Sequence, residues 1–266
     1  MRVGRSDFKK CVIKRNGAKA PFLVEKMANR IRKMSFDLDI TNEHIDEVID
    51  ETLARFPNSE NLSTSKIDGY LAVTLRDLAF GPSPLISHRA TGREDYAKLA
   101  ARIETSNLHR NTPKRFSAVY EAIYHDQKPP LSLLVSEENL YFMRKHADEL
   151  DSMIISARDY DIPYDILRQL QGDILPERDC YWAPTTSATT DDCNCDWIDE
   201  DGKLTCAPLY RLSTSDDFSD VIERPGHMLL RRAIDAASSE LTDNERLERI
   251  REYYDKASRL DFTIWG

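Results

Sequence analysis

The sequence contains no run of about 18 apolar residues, so it predicts no membrane-spanning helix. Its start, Met1 to Lys10, is basic and lacks the apolar run of a secretory signal. With neither feature we expect a cytoplasmic protein. The five cysteines are an odd number in a chain without an export signal, which favours reduced thiols over a disulfide framework.

A broad basic surface is also missing, because the 266 residues carry a net charge of −9. This balance argues against a long nucleic acid as partner. The charge is uneven, since the first 33 residues hold eleven Lys or Arg against Asp7 and Glu25, leaving −18 on the remainder. The basic start is either a solvated face or an anion site, and a compact polyanion such as a nucleoside triphosphate fits it better than a nucleic acid.

The length suits one large domain or two small ones, and the first predicted element is a β-hairpin. Cys11 to Arg15 is predicted as one strand and Ala18 to Leu23 as the next. Asn16-Gly17 between them is a strong signal for a two-residue turn in which both central residues have positive φ.

Apolar residues at helical spacing predict four helices after the hairpin. The four stripes are Val24, Met27, Ile31 and Met34; Ile45, Val48, Ile49 and Leu53; Ile67, Leu71, Leu75 and Leu78; and Tyr96, Leu99, Ala100 and Ile103. Thr41 is expected to cap the second helix, and Ser63 or Thr64 the third. The Gly- and Pro-containing segment Phe80 to Gly92 is expected to be a loop.

The second half is also predicted to be mainly helical. Ser136 is expected to cap one long helix that carries its apolar stripe from Leu140 to Ile154. Residues 171–209 lose the pattern and are expected to form a loop insertion. Thr242 and Glu245 form a capping-box pattern for a final helix.

Five stretches, in the same order, resemble the large chain of class I ribonucleotide reductase. They are Val12 to Gly17, Val24 to Ile31, Ser63 to Asp68, Asp95 to Arg110, and Glu223 to Leu229. The resemblance implies a mainly α fold, in which a basic tail at 1–10 precedes a β-hairpin-capped four-helix bundle, the ATP-cone, at 11–112. A helical region at 113–266 would follow, which in the family precedes an α/β ten-stranded barrel that is absent here.

The resemblance further implies that the cone binds ATP or dATP, with Mg²⁺, as an allosteric effector. The residues that match the family's site are Lys14, Arg15, Lys26, Met27, Thr64, Asp68 and Arg110. A triphosphate needs several converging cations, and the lysines and arginines of this set would supply them. Thr64 would donate a hydroxyl, Asp68 matches the position near the ribose, and Met27 and Ile31 would pack against the base.

Each of these residues also has a plain structural interpretation. Lys14 and Arg15 are adjacent in the predicted strand, so their side chains are expected on opposite faces, and both could simply protect an edge strand. Thr64 could be only a helix cap, Asp68 a solvated helix residue and Met27 a core residue. The ordered resemblance favours the binding interpretation for the set as a whole.

The sequence departs from the family at one informative position. The family usually places a carboxylate a few residues past the hairpin turn, where it receives the adenine amino group, and here that position is Ala20, followed by Pro21. A missing acceptor costs about 1–3 kcal/mol when the base is buried. We therefore expect phosphate binding to be better preserved than adenine selectivity.

No catalytic residue is assigned, because the family's catalytic cysteines lie downstream of the segment at which this sequence ends, Gly266. The chain alone is therefore not expected to reduce ribonucleotides. Cys193 and Cys195, with Cys180 and Cys206, could ligate zinc, but their spacing favours loop thiols and no metal site is assigned. His227 is interpreted as structural, because no nucleophile is paired with it in the sequence.

Three functional hypotheses follow from these observations. The first is an ATP- or dATP-binding regulatory portion of a reductase large chain, serving deoxyribonucleotide biosynthesis and DNA replication. It would associate with itself, or with full-length large and small chains, and not with nucleic acid or membrane. The second is a component of a reductase whose remainder is another polypeptide, and the third is a helical interaction protein or degenerate paralogue that no longer binds nucleotide.

Overall fold

The structure is a computed structural model that describes residues 11–57, 61–80, 93–125, 135–170, 221–237, 239 and 241–259. The chain forms two compact units, Met1–Asn111 and Thr112–Gly266, and each is described by itself. Within the described ranges the fold is mainly helical, with a small sheet in the first unit and no barrel. The predicted fold class, a hairpin-capped helical bundle followed by a helical region, is confirmed.

A three-stranded sheet opens the first unit. Strand β1 (Cys11–Ile13) pairs antiparallel with β2 (Lys19–Pro21) and parallel with β3 (Asn61–Ser63), which gives the order β2-β1-β3. The hairpin agrees with the prediction, although both of its strands are shorter than expected. Strand β3 is a new element, and it places Leu62 opposite Val12 in the sheet, with both side chains buried.

The hairpin turn differs from the prediction of a two-residue turn. The backbone N–H of Gly17 donates to the carbonyl of Lys14 at 2.8 Å, and the N–H of Lys14 donates to the carbonyl of Ala18 at 2.9 Å. Gly17 has a φ of 78°, whereas Asn16 does not have a positive φ. This is a three-residue loop with a left-handed glycine at its end. Arg15 therefore lies in the turn and not in the strand.

Four helices complete the described part of the first unit, and their predicted apolar stripes form its core. They are α1 (Val24–Met34), α2 (Asn42–Ala54), α3 (Thr64–Phe80) and α4 (Arg93–Asn111). Ile31, Val48, Leu75 and Leu99 have no exposed surface. Phe80 ends α3 rather than starting a loop, and the rest of the predicted loop, residues 81–92, lies outside the described residues.

Side chains of the flanking residues fix where α2 and α3 begin. Thr41 and His44 form a reciprocal capping box at the start of α2, as the predicted Thr41 cap requires. At α3 the hydroxyl of Ser63 accepts the N–H of Lys66 at 3.1 Å, so Ser63 caps the helix. The hydroxyl of Thr64 is thereby left available for a different partner.

Arg102 of α4 closes the C-terminal end of α1. Its Nη1 donates to the carbonyls of Met34 at 3.2 Å and Phe36 at 2.6 Å, and its guanidinium lies 3.9 Å from the centre of the Phe36 ring. Carbonyls at a helix end have no partner within the helix. This contact satisfies them and fixes α1 against α4, and both helices contribute to the pocket described below.

The described part of the second unit is helical. Its helices are α5 (Phe116–His125), α6 (Glu137–Lys145), α7 (Ala147–Met153), α8 (Tyr164–Leu170), α9 (Pro225–Ala236) and α10 (Asp243–Ser258). The single long helix predicted after Ser136 is wrong, because the chain breaks between α6 and α7 at His146, with φ −118° and ψ 28°. His146 Nε2 lies 3.1 Å from the Asp243 carboxylate at the start of α10, a tertiary contact with no signal in the local sequence.

A buried ion pair fixes the segment that leads into α9. Arg231 donates to the carboxylate of Glu223 through Nε at 2.8 Å and Nη2 at 3.0 Å, and both side chains are excluded from solvent. Burial opposes the charge of Arg231, but the Glu223 carboxylate outweighs it, so the pKa of Arg231 is raised. His227 is fully buried beside Phe116, with 6.1 Å between the ring centres.

Several predicted features lie outside the described residues, namely the basic tail 1–10, the insertion 171–209 and the four cysteines within it. Cys11 is an exposed free thiol. In the described ranges no three His, Cys, Asp or Glu side chains are grouped so as to hold a metal ion. No helix within those ranges is both long and apolar enough to cross a membrane.

Replacing Gly17 with alanine is expected to lower the free energy of unfolding by about 1 kcal/mol, because alanine disfavours the left-handed conformation. A Cβ at Gly17 would have nothing within 4 Å, so the cost is conformational and not steric. Gly69, inside α3, also has open space around its Cβ, and Gly69→Ala is expected to stabilise by about 0.5–1 kcal/mol. Denaturant unfolding measures the free energy of unfolding of both variants. Equal changes in Gly17→Ala and Gly69→Ala would contradict the turn geometry.

Replacing Arg231 alone with methionine is expected to lower the free energy of unfolding by about 3–5 kcal/mol, because the buried Glu223 carboxylate would lose the positive charge beside it. The double variant Glu223→Gln with Arg231→Met is expected to show a clearly smaller decrease in the free energy of unfolding. Lys98→Met removes an exposed i,i+4 pair with Glu94 and serves as the neutral control. Calorimetric unfolding measures the stability of all three, and a double variant that loses as much stability as Arg231→Met alone would rule out the coupling.

Candidate anion-binding site

A pocket in the first unit lies between the β-hairpin, the start of α1, the first turns of α3 and the end of α4. Its charged lining residues are Lys14, Arg15, Lys26, Arg30, Asp68 and Arg110. Its uncharged lining residues are Val12, Ala20, Pro21, Phe22, Leu23, Met27, Thr64 and Ile67. The pocket therefore brings together all seven residues that the sequence analysis proposed as a site, although they come from four separate segments.

Arg15 joins the hairpin turn to two helices. Its Nε donates to the Asn111 side chain and its Nη2 to the Asn107 side chain, both at 2.8 Å, while Nη1 lies 3.4 Å from the Thr64 hydroxyl. Burial is the main cause of a lowered pKa at Arg15, yet a guanidinium stays charged at neutral pH. The expectation that Lys14 and Arg15 point to opposite faces is wrong, because Arg15 lies in the turn and both line the pocket.

Asp68 is a buried carboxylate surrounded by three guanidinium groups. Arg30 donates to it in a fork, Nε to Oδ1 at 3.3 Å and Nη2 to Oδ2 at 3.2 Å. Arg15 and Arg110 approach Oδ2 at 3.6 and 3.8 Å. The Asp68 side chain is only 9% exposed, so it is not the solvated helix residue of the alternative interpretation.

Arg30 is a pocket residue that the sequence analysis missed as a site residue. Its side chain is 9% exposed, and its Nη1 is buried with no hydrogen-bond partner among the described residues. In sequence it reads as one of several cations along α1. The sequence feature that could have identified Arg30 as a site residue is its position, four residues after Lys26 and therefore on the same face of α1.

The remaining cations of the lining are exposed to solvent. Lys14 and Lys26 are exposed, and neither forms an ion pair with any residue the structure describes. Arg110 is 44% exposed on its side chain. With Arg15 and Arg30 the lining holds five cations against the single carboxylate of Asp68, a net charge of +4.

The apolar part of the lining comes mainly from β2 and the residues that lead into α1. Met27 is 4% exposed and lines the pocket, so it contributes both to the core and to the pocket wall. The expectation that Ile31 packs against the base is wrong, because Ile31 does not line the pocket and is fully buried in the core. The arrangement offers a cationic half for an anionic group beside an apolar wall for an uncharged one.

The fold and the site together define a class of domain, namely a helical bundle capped by a β-hairpin with a cationic pocket between them. The model of the ATP cone domain family matches residues 10–111. Over 168 residues, 62% of its length, this chain is 33% identical to the ribonucleoside-diphosphate reductase large subunit of vaccinia virus. Over the same length it is 32% identical to the ribonucleoside-diphosphate reductase large chain 2 of Saccharomyces cerevisiae. The large subunit of Danio rerio is 31% identical over the same length.

These matches cover the N-terminal part of the chain, and they confirm the resemblance to the reductase large chain. They span 20% of the vaccinia virus protein, 18% of the yeast protein and 19% of the zebrafish protein. The chain thus spans about a fifth of the length of the curated relatives it matches.

Replacing Asp68 with asparagine is expected to lower the free energy of unfolding of the first unit by about 2 kcal/mol, because three guanidinium groups would lose their shared counter-charge. Added inorganic phosphate is expected to restore more stability to this variant than to the unchanged chain. Hydrogen exchange along α3 and α4 provides the measurement.

Asp77→Asn is the matched control for Asp68→Asn. Asp77 lies on the same helix and pairs with Arg55 at 2.6 Å, but both side chains are about one third exposed, so its loss is expected to cost less than about 1 kcal/mol. If the two variants exchange at the same rate, Asp68 does not neutralise the pocket.

Proposed function

We propose that the first unit binds ATP or dATP in the hairpin pocket, and that the bound nucleotide acts as an allosteric effector of a ribonucleoside-diphosphate reductase large chain. The observation that supports this most strongly is the convergence of Lys14, Arg15, Lys26 and Arg110 on one pocket. Residues spread over about a hundred positions would not meet in this way if they only solvated separate surfaces.

The charge of the pocket suits a triphosphate. A nucleoside triphosphate carries about three to four negative charges, and charge-assisted hydrogen bonds to phosphate are the strong ones. The lining supplies a net charge of +4. Lys14 and Lys26 have no ion-pair partner in the described ranges, so binding phosphate there breaks no existing pair.

Arg15 is held in position before any ligand arrives. Its bonds to Asn107 and Asn111 fix the guanidinium against α4, so less conformational freedom is lost on binding. The Thr64 hydroxyl lies 3.4 Å from Arg15 Nη1, and Ser63 rather than Thr64 caps α3, so this hydroxyl is available to the same phosphate group. The phosphates would therefore lie between the hairpin turn and the start of α3.

The nucleoside would lie against the apolar wall, with the base on Met27 and the ribose towards Asp68, as the family resemblance implies. Mg²⁺ would accompany the phosphates. Asp68 is the single carboxylate in the lining and is held by Arg30, so the ion would be held by phosphate oxygens and water.

The similarity to reductase large subunits suggests the process that the nucleotide would regulate, namely the supply of deoxyribonucleotides for DNA replication. The proposed partners are further copies of this chain, or full-length large and small reductase chains. The second hypothesis, a reductase completed by another polypeptide, uses the same nucleotide site and differs only in that partner.

Titration calorimetry of the whole chain with ATP and with dATP is the direct test. Lys14→Gln and Lys26→Gln are each expected to weaken binding about tenfold, because each removes one charge-assisted contact to phosphate without breaking an ion pair. Lys33→Gln is the matched control, since Lys33 is an exposed cation of α1 that does not line the pocket.

An equal loss of affinity in all three variants would point to a diffuse electrostatic effect and against this pocket. No heat from either nucleotide at millimolar concentration would instead favour the third hypothesis, an interaction protein that has lost nucleotide binding. Sedimentation of the same samples with and without nucleotide reports whether binding changes assembly.

A further inference from the structure

Two asparagines near the C-terminal end of α4 occupy one edge of the Arg15 guanidinium. Its Nε donates to Oδ1 of Asn111 and its Nη2 to Oδ1 of Asn107, both at 2.8 Å. A guanidinium carries its N–H groups in one fixed plane, so both N–H groups of Nη1 and the second N–H of Nη2 remain. Neither asparagine lines the pocket, so each can influence a ligand there only through Arg15.

The remaining N–H groups of Arg15 lie beside residues that line the pocket. Nη1 is 3.4 Å from the Thr64 hydroxyl and Nη2 is 3.6 Å from the Asp68 carboxylate, and both distances are longer than those to the asparagines. Nη1 and Nη2 form the end of the guanidinium, and two parallel N–H groups of this kind can bind two oxygens of one phosphate. The edge that the asparagines leave open is therefore the one that suits a phosphate group.

A hydrogen-bond network around Ser65 fixes the orientation of both amides. Nδ2 of Asn111 donates to Oγ of Ser65 at 2.8 Å, and Nδ2 of Asn107 donates to the Ser65 carbonyl at 3.3 Å. The Ser65 hydroxyl in turn donates to Oδ1 of Asn107 at 3.2 Å. Because the amide nitrogens are engaged with the first turn of α3, the amide oxygens face Arg15. The network thus joins the hairpin turn, the start of α3 and the end of α4.

The acceptors that hold Arg15 are uncharged, in contrast to the acceptor that holds Arg30. The same two nitrogens of Arg30, Nε and Nη2, donate to the Asp68 carboxylate, whose negative charge offsets the positive charge of that guanidinium. An amide oxygen accepts a hydrogen bond without contributing a negative charge. Asp68 also lies 3.6 Å from Arg15, but it is shared with two other guanidinium groups. Arg15 is thus fixed in direction while most of its charge stays available.

From this arrangement we infer that Asn107 and Asn111 are positioning residues for phosphate recognition. They turn the end of the Arg15 guanidinium towards the pocket and, because they are neutral, leave its positive charge for the phosphates. The inference rests on the proposed function in one respect, namely that a phosphate group occupies the pocket. It concerns the phosphates and not the nucleoside, so inorganic tripolyphosphate depends on the asparagines in the same way as ATP.

Asn111→Asp separates the two properties that Asn111 combines. An aspartate still accepts from Arg15 Nε, but it adds a negative charge and competes with phosphate for the guanidinium. Calorimetric titration of the whole chain is expected to show at least about tenfold weaker binding of both ATP and tripolyphosphate. The affinity is also expected to fall less steeply between about 0.05 and 0.3 M salt, because one charge of the site is already neutralised.

Asn111→Ala removes the acceptor without adding a charge. We expect about three- to fivefold weaker binding with an unchanged salt dependence, because Arg15 keeps its bond to Asn107 but loses part of its fixed direction. Asn29→Asp is the matched control, since Asn29 is an exposed residue of α1 that accepts from Arg32 Nη1 at 2.9 Å and does not line the pocket. It adds the same charge to the first unit and is expected to change the affinity by less than about twofold.

Two outcomes would overturn the positioning role. One is binding by Asn111→Asp within about threefold of the unchanged chain, or an equal loss in Asn29→Asp. The other is the same loss and the same salt dependence in both Asn111 variants, because a purely structural contact would not distinguish them. Thermal unfolding without ligand is expected to show both variants folded, since Asn111 is exposed. If neither ATP nor tripolyphosphate binds the unchanged chain, the proposed function itself is wrong.

Discussion

The architecture of the first unit depends on one carboxylate that neutralises part of a crowded group of cations. Asp68 is buried in α3, and Arg15, Arg30 and Arg110 approach it from the hairpin, α1 and α4. Guanidinium groups this close together repel one another, and burial strengthens the repulsion because it lowers the local dielectric. The single negative charge of Asp68 offsets only part of this repulsion, so the group of side chains keeps a net positive charge in the folded state.

The hairpin meets this group of cations because of its loop geometry. The left-handed Gly17 closes a three-residue loop and moves Arg15 out of the strand and into the turn. From there the guanidinium reaches Asn107 and Asn111 at the C-terminal end of α4. A strand position would have sent alternate side chains to opposite faces, and the pocket would have lost one of its cations.

The sequence was most informative where local pattern determines structure. The stripes through Ile31, Val48, Leu75 and Leu99 depend only on helical periodicity, and they correctly predicted the four helices of the first unit. Strand β3 was missed, because three residues are too short to show alternation and their stability comes from pairing with β1. The break at His146 was missed for a similar reason, since the contact that accompanies it is with Asp243, far away in the sequence.

The same distinction applies to the pocket. The family resemblance predicted which residues line the pocket, because it aligned residues such as Lys14, Thr64 and Asp68 with the family's site positions. Its internal contacts were not, because the fork between Arg30 and Asp68 depends on how α1 packs against α3. Identifying residue types therefore predicted which groups gather, and only the packing of the helices revealed which of them are already paired.

The bonds of Arg15 to Asn107 and Asn111 span more than ninety residues, so the pocket exists only after the whole first unit has folded. In the unfolded chain Arg110 is far from the basic residues of the first 33 positions, so the complete pocket is missing. Any anion that occupies the pocket consequently stabilises the folded form by mass action, by about 2.7 kcal/mol at a hundred times its dissociation constant. The cellular concentration of that anion would then govern how long the domain resists degradation, in addition to any signal that it conveys.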